Sequence, residues 1–266
     1  MLRIITLLFL ALAGIAPGPA TAGSSEAGKP QLPAAQVAHF ANRMQLVLAE
    51  RGAHVAIVAR MGRNPNTLPD GVKYTHVAYW VYSKLTQADG TTAFGYQVYN
   101  LYQDDKDPTL SHLVQDSPAD FFAGAYRLDA GIIIPDERLQ KKLLKVIAGP
   151  TYAALHNPQY SVLANPETSQ FQNCTEHTLD VLMASLYGTS DKGRIKANIA
   201  AHFKSTPIPV GGFKRAFATV ASRALTTTDH GSTVATATFS SIAQFMKDNK
   251  LAAQVFRLTP QSAYPF

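Results

Sequence analysis

The chain has 266 residues, 46% of them hydrophobic and 16% charged, with a single cysteine. This composition excludes a disordered tail or a small disulfide-stapled scaffold and leaves enough apolar side chain to build a core without cross-links. The formal charge is +6, but the basic residues lie in small scattered groups such as Lys141, Lys142 and Lys145 or Lys214 and Arg215, so no nucleic-acid partner is expected.

Residues 1–22 carry Arg3, an apolar run from Ile4 to Ala16, a Pro17-Gly18-Pro19 break and the small triplet Ala20-Thr21-Ala22. That is the pattern of a secretory signal peptide cleaved near Ala22, since the run is about half the roughly 20 residues needed to span a bilayer. A periplasmic or secreted mature chain is therefore expected, with no transmembrane segment. Residues 23–266 read as one domain, because no linker or charge block divides them.

In chain order, Pro33 opens a helix with Val37, Phe40, Met44, Val47 and Leu48 at helical spacing, closed by Gly52. The β-branched run 54–60 predicts a strand, and the stretch 64–71 a loop. Two aromatic and β-branched runs, 74–85 and 92–103, flank Gln87-Ala88-Asp89-Gly90 and predict an antiparallel hairpin. A short helix follows Ser117-Pro118, then a strand over 126–134 and a helix over 136–148 stopped by Gly149-Pro150. Leu179, Leu182 and Leu186 predict a helix over 173–186 that stops at Gly188. Helices are also expected at 191–203 and 240–249, with loops at 206–212 and 226–236. The pattern is α+β with a mainly antiparallel sheet and a C-terminal helical elaboration.

Several chemistries find no support. There is no Walker loop or dinucleotide glycine fingerprint, and Gly211-Gly212 is an isolated pair. The segment from Gly188 to Gly193 has the wrong spacing for a nucleophile elbow. The eight histidines are dispersed; Glu176, His177 and Asp180 form the nearest approach to a metal cluster and read as a solvated helix face. Asp229-His230-Gly231 reads as a loop turn. Neither a metal nor a cofactor is expected.

The cysteine carries the sharper expectation. Asn173 followed by Glu176 has capping-box spacing, which places Cys174 in the first turn of a helix. There the backbone N–H groups and the positive end of the helix dipole favour a thiolate and could stabilise an oxyanion. A nucleophile needs a base, and His76 lies near the start of an aromatic strand. If the hairpin turns near Ala88, Asn100 stands opposite His76 and would orient its ring; a shift of two would place Tyr102 there instead. His177, three residues after Cys174, is the rival base. Gln170 and Gln172 are further oxyanion candidates, with Asn173 and Glu176 beside them as orienting groups. For each residue a bland reading stands alongside: Cys174 as a small buried hydrophobe, His76 as a core histidine and Asn100 as a strand-end residue.

The stretches VAIVARMGR, LPDGVKYTHVAYWVY, YNLYQ, DFFAGAY, IIIP, PTYAALHNPQYSVLANP and FQNCTEHTLDVL resemble the bacterial family named domain of unknown function 2145, across almost all of the mature chain. More loosely, the order His76, Asn100, Cys174 is similar to circularly permuted papain-like proteins of the NlpC and lecithin:retinol acyltransferase type. Those relatives often read Asn-Cys-Glu-His-Phe, whereas here Thr175 follows Cys174. The resemblance implies a permuted papain-like fold. It also implies a cysteine hydrolase or acyltransferase acting on a cell-wall peptide amide or a lipid ester, with Cys174 as nucleophile, His76 as base and Asn100 as orienting group. The competing expectation is a non-catalytic envelope binding or scaffold module of the same fold, with Cys174 as packing and Tyr79, Trp80 and Tyr82 lining a ligand cleft.

Overall fold

The computed structural model describes residues 30–86, 89–209 and 222–266. The β-branched and aromatic runs form a seven-stranded sheet, antiparallel throughout, in the order β4-β3-β2-β1-β5-β8-β9. Its strands are β1 (Val55–Met61), β2 (His76–Thr86), β3 (Thr92–Gln103), β4 (Ser111–Asp116), β5 (Arg127–Pro135), β8 (Ala252–Leu258) and β9 (Ala263–Pro265). Two short strands, β6 (Thr206–Pro207) and β7 (Ala235–Thr236), pair with each other apart from it. The expected signal segment, the Gly211-Gly212 pair, the Lys214-Arg215 group and Ala88 lie outside the described residues.

Helices cover both faces because β1 and the first half of β2 are buried on both. On one face lie α1 (Ala34–Glu50) and α2 (Pro118–Ala123), where Phe40 meets Phe122 edge to face and Trp80, Ala78 and Val98 fill the floor. The other face packs α3 (Glu137–Ile147), α4 (Pro150–Ala154), α5 (Cys174–Tyr187), α6 (Lys192–His202) and α7 (Phe239–Asp248) over Val77, Tyr79, Val81 and Ile133. The alternation of β2 is thus explicit: even-numbered residues from His76 to Trp80 face α1 and α2, and odd-numbered residues face α5.

The helix ends follow their capping residues. Ser117 and Asp120 form a reciprocal capping box on α2, Asp136 accepts from Arg138 and Leu139 N–H on α3, and Asp191 caps α6. Gly188 ends α5 at φ 62°, a left-handed conformation that costs glycine little.

Three expectations are corrected. The C-terminal region is not a helical elaboration alone, since after α7 the chain returns as β8 and β9, and β8 pairs with β5 inside the main sheet. Two segments expected as loops supply β6 and β7. The hairpin register is shifted by two from the expected one: Trp80 pairs with Val98 and Tyr82 with Tyr96, because the turn is centred one residue later, where Gly90 takes φ 81°.

Candidate functional site

Cys174 occupies the first position of α5, and Asn173 is its N-cap, with its side-chain Oδ1 accepting from Glu176 N–H at 2.9 Å and from the Thr175 hydroxyl at 2.7 Å. The second half of the expected capping box is absent: Glu176 turns away from Asn173 to bond the Lys196 ammonium at 2.6 Å. Cys174 is 6% exposed and packs against Leu101 and Tyr160. Around it is a recess lined by Tyr74, Thr75, Tyr160, Asn173, Thr236 and Thr238 among others, offering about 50 Å³. That is room for a few waters, against the roughly 300–1,000 Å³ of ordinary ligand pockets. Among the described residues, the lining holds no histidine, aspartate or glutamate.

His76 stands on the other face of the sheet. Its ring stacks on Tyr102 at 4.9 Å with an interplanar angle of 15° and packs against Phe121 of α2. Cys174, by contrast, shares its cluster with odd-numbered Leu101 of β3. On the cysteine side, Thr75, the residue before β2, lines the recess, and Val77 of β2 joins the α5 core. A one-residue offset along a strand reverses the face, and that offset separates the expected nucleophile from its expected base. The pairing of Cys174 with His76 is therefore not formed.

The His76–Asn100 contact does exist, but in a different setting. His76 Nε2 lies 2.9 Å from Asn100 Oδ1, Asn100 Nδ2 donates to Asp116 Oδ2 at 3.1 Å, and the Tyr102 hydroxyl donates to the same oxygen at 2.5 Å. With the Asn100 amide nitrogen committed to a carboxylate, its oxygen accepts from His76, which assigns the proton to Nε2. The ring is buried, and desolvation, reinforced by the nearby Arg60 guanidinium, holds its pKa well below the usual imidazole range. Arg60 itself donates to the Phe121 carbonyl and packs over that ring. This is a polar chain across three strands, buried at His76, Asn100 and Tyr102 and half-buried at Asp116, beneath α2 and with no cavity on it among those described.

The remaining candidates are also occupied. His177 Nε2 lies 3.2 Å from the Tyr152 carbonyl, and burial lowers its pKa to about 3, so the ring is neutral and a poor proton acceptor at neutral pH. The Gln172 amide accepts from Asn157 N–H at 2.8 Å and donates to the Leu155 carbonyl and to Asp180, which leaves no N–H for an oxyanion. Asn173 Nδ2 donates to the Val162 carbonyl at 3.1 Å. Gln170 bonds Thr228 at the surface.

Glu176 and Asp180 do not form a solvated face. Both are buried on Lys196, which bonds Asp180 at 2.8 Å as well as Glu176. Burial pushes the Glu176 carboxyl well above the usual range, with Lys196 opposing, and the two carboxylates raise the Lys196 ammonium against its own desolvation. The expected aromatic cleft is absent too: Tyr79 and Trp80 are 1% and 0% exposed, and only Tyr82 reaches solvent. Asp229 and His230 act as a clamp, accepting from Asn165 N–H at 2.8 Å and reaching the Leu163 carbonyl at 2.6 Å.

Sequence reasoning missed Asp116, Arg60 and Lys196, the charged partners that define these networks. It also missed Ser111, whose hydroxyl lies 3.0 Å from His156 Nε2. Each joins segments distant in the chain, and no local spacing announces it.

Compared with known proteins, residues 47–246 match the family described as an uncharacterized protein conserved in bacteria (DUF2145), and the chain belongs to that family. No curated protein and no solved structure matches. No helix among the described residues is long and apolar enough to cross a membrane.

Proposed function

We propose that this member of the family is a non-catalytic binding or scaffold module, delivered outside the cytoplasm by its signal-like first 22 residues, and that Cys174 serves packing rather than nucleophilic attack. The observation that carries the reading is the sheet between the two residues a hydrolase would need together. Cys174, at the start of α5, packs on Leu101 from one side of the sheet, and His76 packs on Tyr102 and on Phe121 of α2 on the other. Proton transfer requires heavy atoms within hydrogen-bond reach or one water apart, and a packed sheet offers neither. The recess at Cys174 is also too small for a scissile amide and its substituents. The permuted papain-like relationship loses its main support on the same ground, since that arrangement turns the strand histidine toward the cysteine helix.

The test compares the wild-type chain with Cys174→Ala on p-nitrophenyl esters and peptide anilides, with intact mass recorded during incubation. Equal background rates and no acyl adduct are expected. Turnover or an acyl adduct that disappears in Cys174→Ala would overturn the proposal and restore the cysteine hydrolase or acyltransferase reading.

A further inference from the structure

A second concavity, far larger than the recess at Cys174, lies where the start of α1 meets the ends of β5 and β8. It encloses about 620 Å³ and is lined by Gln36, Arg127, Asp129, Arg257, Thr259 and Tyr264 among others. That is the size of a small-molecule site. Its floor is a carboxylate withdrawn from water: Asp129 is 1% exposed. Arg257 grips it with Nε to Oδ1 at 2.8 Å and Nη2 to Oδ2 at 2.5 Å. The Tyr74 hydroxyl adds a bond to Oδ1 at 3.1 Å, and Arg127 Nη2 stands 3.6 Å from Oδ2.

The charge here does not balance. One carboxylate faces two guanidinium groups that cannot lose their protons, so an excess positive charge remains at the groove. The ammonium of Lys73 lies beside them over the Tyr74 ring at 5.4 Å. Its pKa is lowered, first by burial and then by Arg257 and Arg127, against the pull of Asp129. The start of α1 points the same way. Leu32 and Gln36 line the groove, the N-cap is Pro33 with no side-chain cap bond, and the first turn holds no acidic residue. The positive end of a 17-residue helix is thereby left uncompensated beside two arginines.

We propose that this groove binds a small ligand through an oxyanion, a carboxylate or a phosphoryl group, held by Arg127 and Arg257. Asp129 is the internal counter-ion that fixes the guanidinium planes in advance, so their remaining donors are oriented before the ligand arrives. Arg257 lies 5.7 Å over the Tyr264 ring, which restrains it from a second side. Arg127, half exposed, is the residue freest to close on the ligand. The inference does not depend on the role of Cys174, which does not line this groove.

The test is the melting temperature of the full chain titrated with inorganic phosphate and, separately, with acetate, at ionic strength held constant with sodium chloride. A saturable rise with either anion is expected, since a ligand that binds only the folded state raises the midpoint by mass action. The tighter anion identifies the ligand class. Arg127→Gln, at an exposed side chain, is expected to weaken the apparent affinity by about tenfold, the loss of roughly one charged hydrogen bond. Arg127→Lys should retain part of it, and Lys141→Gln on α3 should retain all of it. No saturable effect of either anion, or equal affinity in wild type and Arg127→Gln, would overturn the proposal. If Arg127→Gln does not fold, the same comparison is read from Arg127→Lys, for which equal affinity is again the contrary result.

Discussion

A histidine can be placed by a hydrogen bond and still be out of reach of the chemistry it was expected to serve. His76 does bond Asn100, as the hairpin suggested, but the predicted register was wrong by two positions and the bond runs diagonally across the strands. What the local sequence could not carry was the acceptor beyond it, the half-buried Asp116, which turns an orienting amide into the middle of a longer polar chain. The energetic consequence is a dependence on pH. The folded pKa of His76 is depressed by burial, so the unfolded chain binds a proton that the folded chain refuses. The stability tied to this ring is therefore present above about pH 6.5 and is lost as pH falls below it, at up to about 1.4 kcal/mol per pH unit. His177 behaves alike, down to its folded pKa of about 3, while the raised Glu176 and Asp180 act in the opposite sense. Comparison with His76→Gln cancels those shared contributions. In urea unfolding, the stability of the wild type relative to the variant should fall by about 2 kcal/mol between pH 7 and pH 5. A constant difference would mean that the native ring titrates freely.

Elements marked by local signals were legible, and elements made by distant pairing were not. The spacing of Val37, Phe40 and Met44 defines α1, Asp136 and Gly149 bracket α3, and Asn173 with Gly188 bounds α5 to within a residue. By contrast, β4 is a six-residue edge strand with mixed exposure, and β8 and β9 follow α7 without a turn motif that announces a return to the sheet. Their hydrogen bonds come from partners far away in sequence, which periodicity does not record. Close packing between layers is likewise a tertiary fact. Gly131 of β5 lies beneath α7, where an added Cβ would sit 2.8 Å from Tyr74 Cε2 and closer still to the Phe239 ring. Because Tyr74 and Phe239 also meet edge to face at 5.2 Å, neither ring can withdraw without breaking the other's packing. Gly131→Ala should therefore cost about 1–3 kcal/mol in a urea melt, although alanine is the better strand residue. No loss would contradict the tight layer contact.

At the scale of the molecule, the decisive feature is a sheet covered on both faces. In β1, and in β2 from His76 to Val81, every residue is buried, so the usual alternation of apolar and polar side chains is erased and nothing in the sequence says which face an individual residue takes. The fold class could be read from composition and periodicity, and the helix that carries Cys174 from its cap. The face of His76 could not, because it depends on where α2 and α5 dock. Part of that framework also lies beyond the family match at 47–246: most of α1 precedes it, and β8, which pairs with β5, follows it. With α1 and α2 on one side and α5 on the other, the sheet acts as a partition between the imidazole and the thiol. The direct measurement of that partition is the pH profile of iodoacetamide alkylation at Cys174, in the wild type and in His76→Gln. A neighbouring imidazole would shift the thiolate titration, and a distant one would leave it alone. The two profiles should superimpose in midpoint and in rate, whereas a midpoint displaced by about one pH unit in His76→Gln would place the ring beside the sulfur and contradict the account.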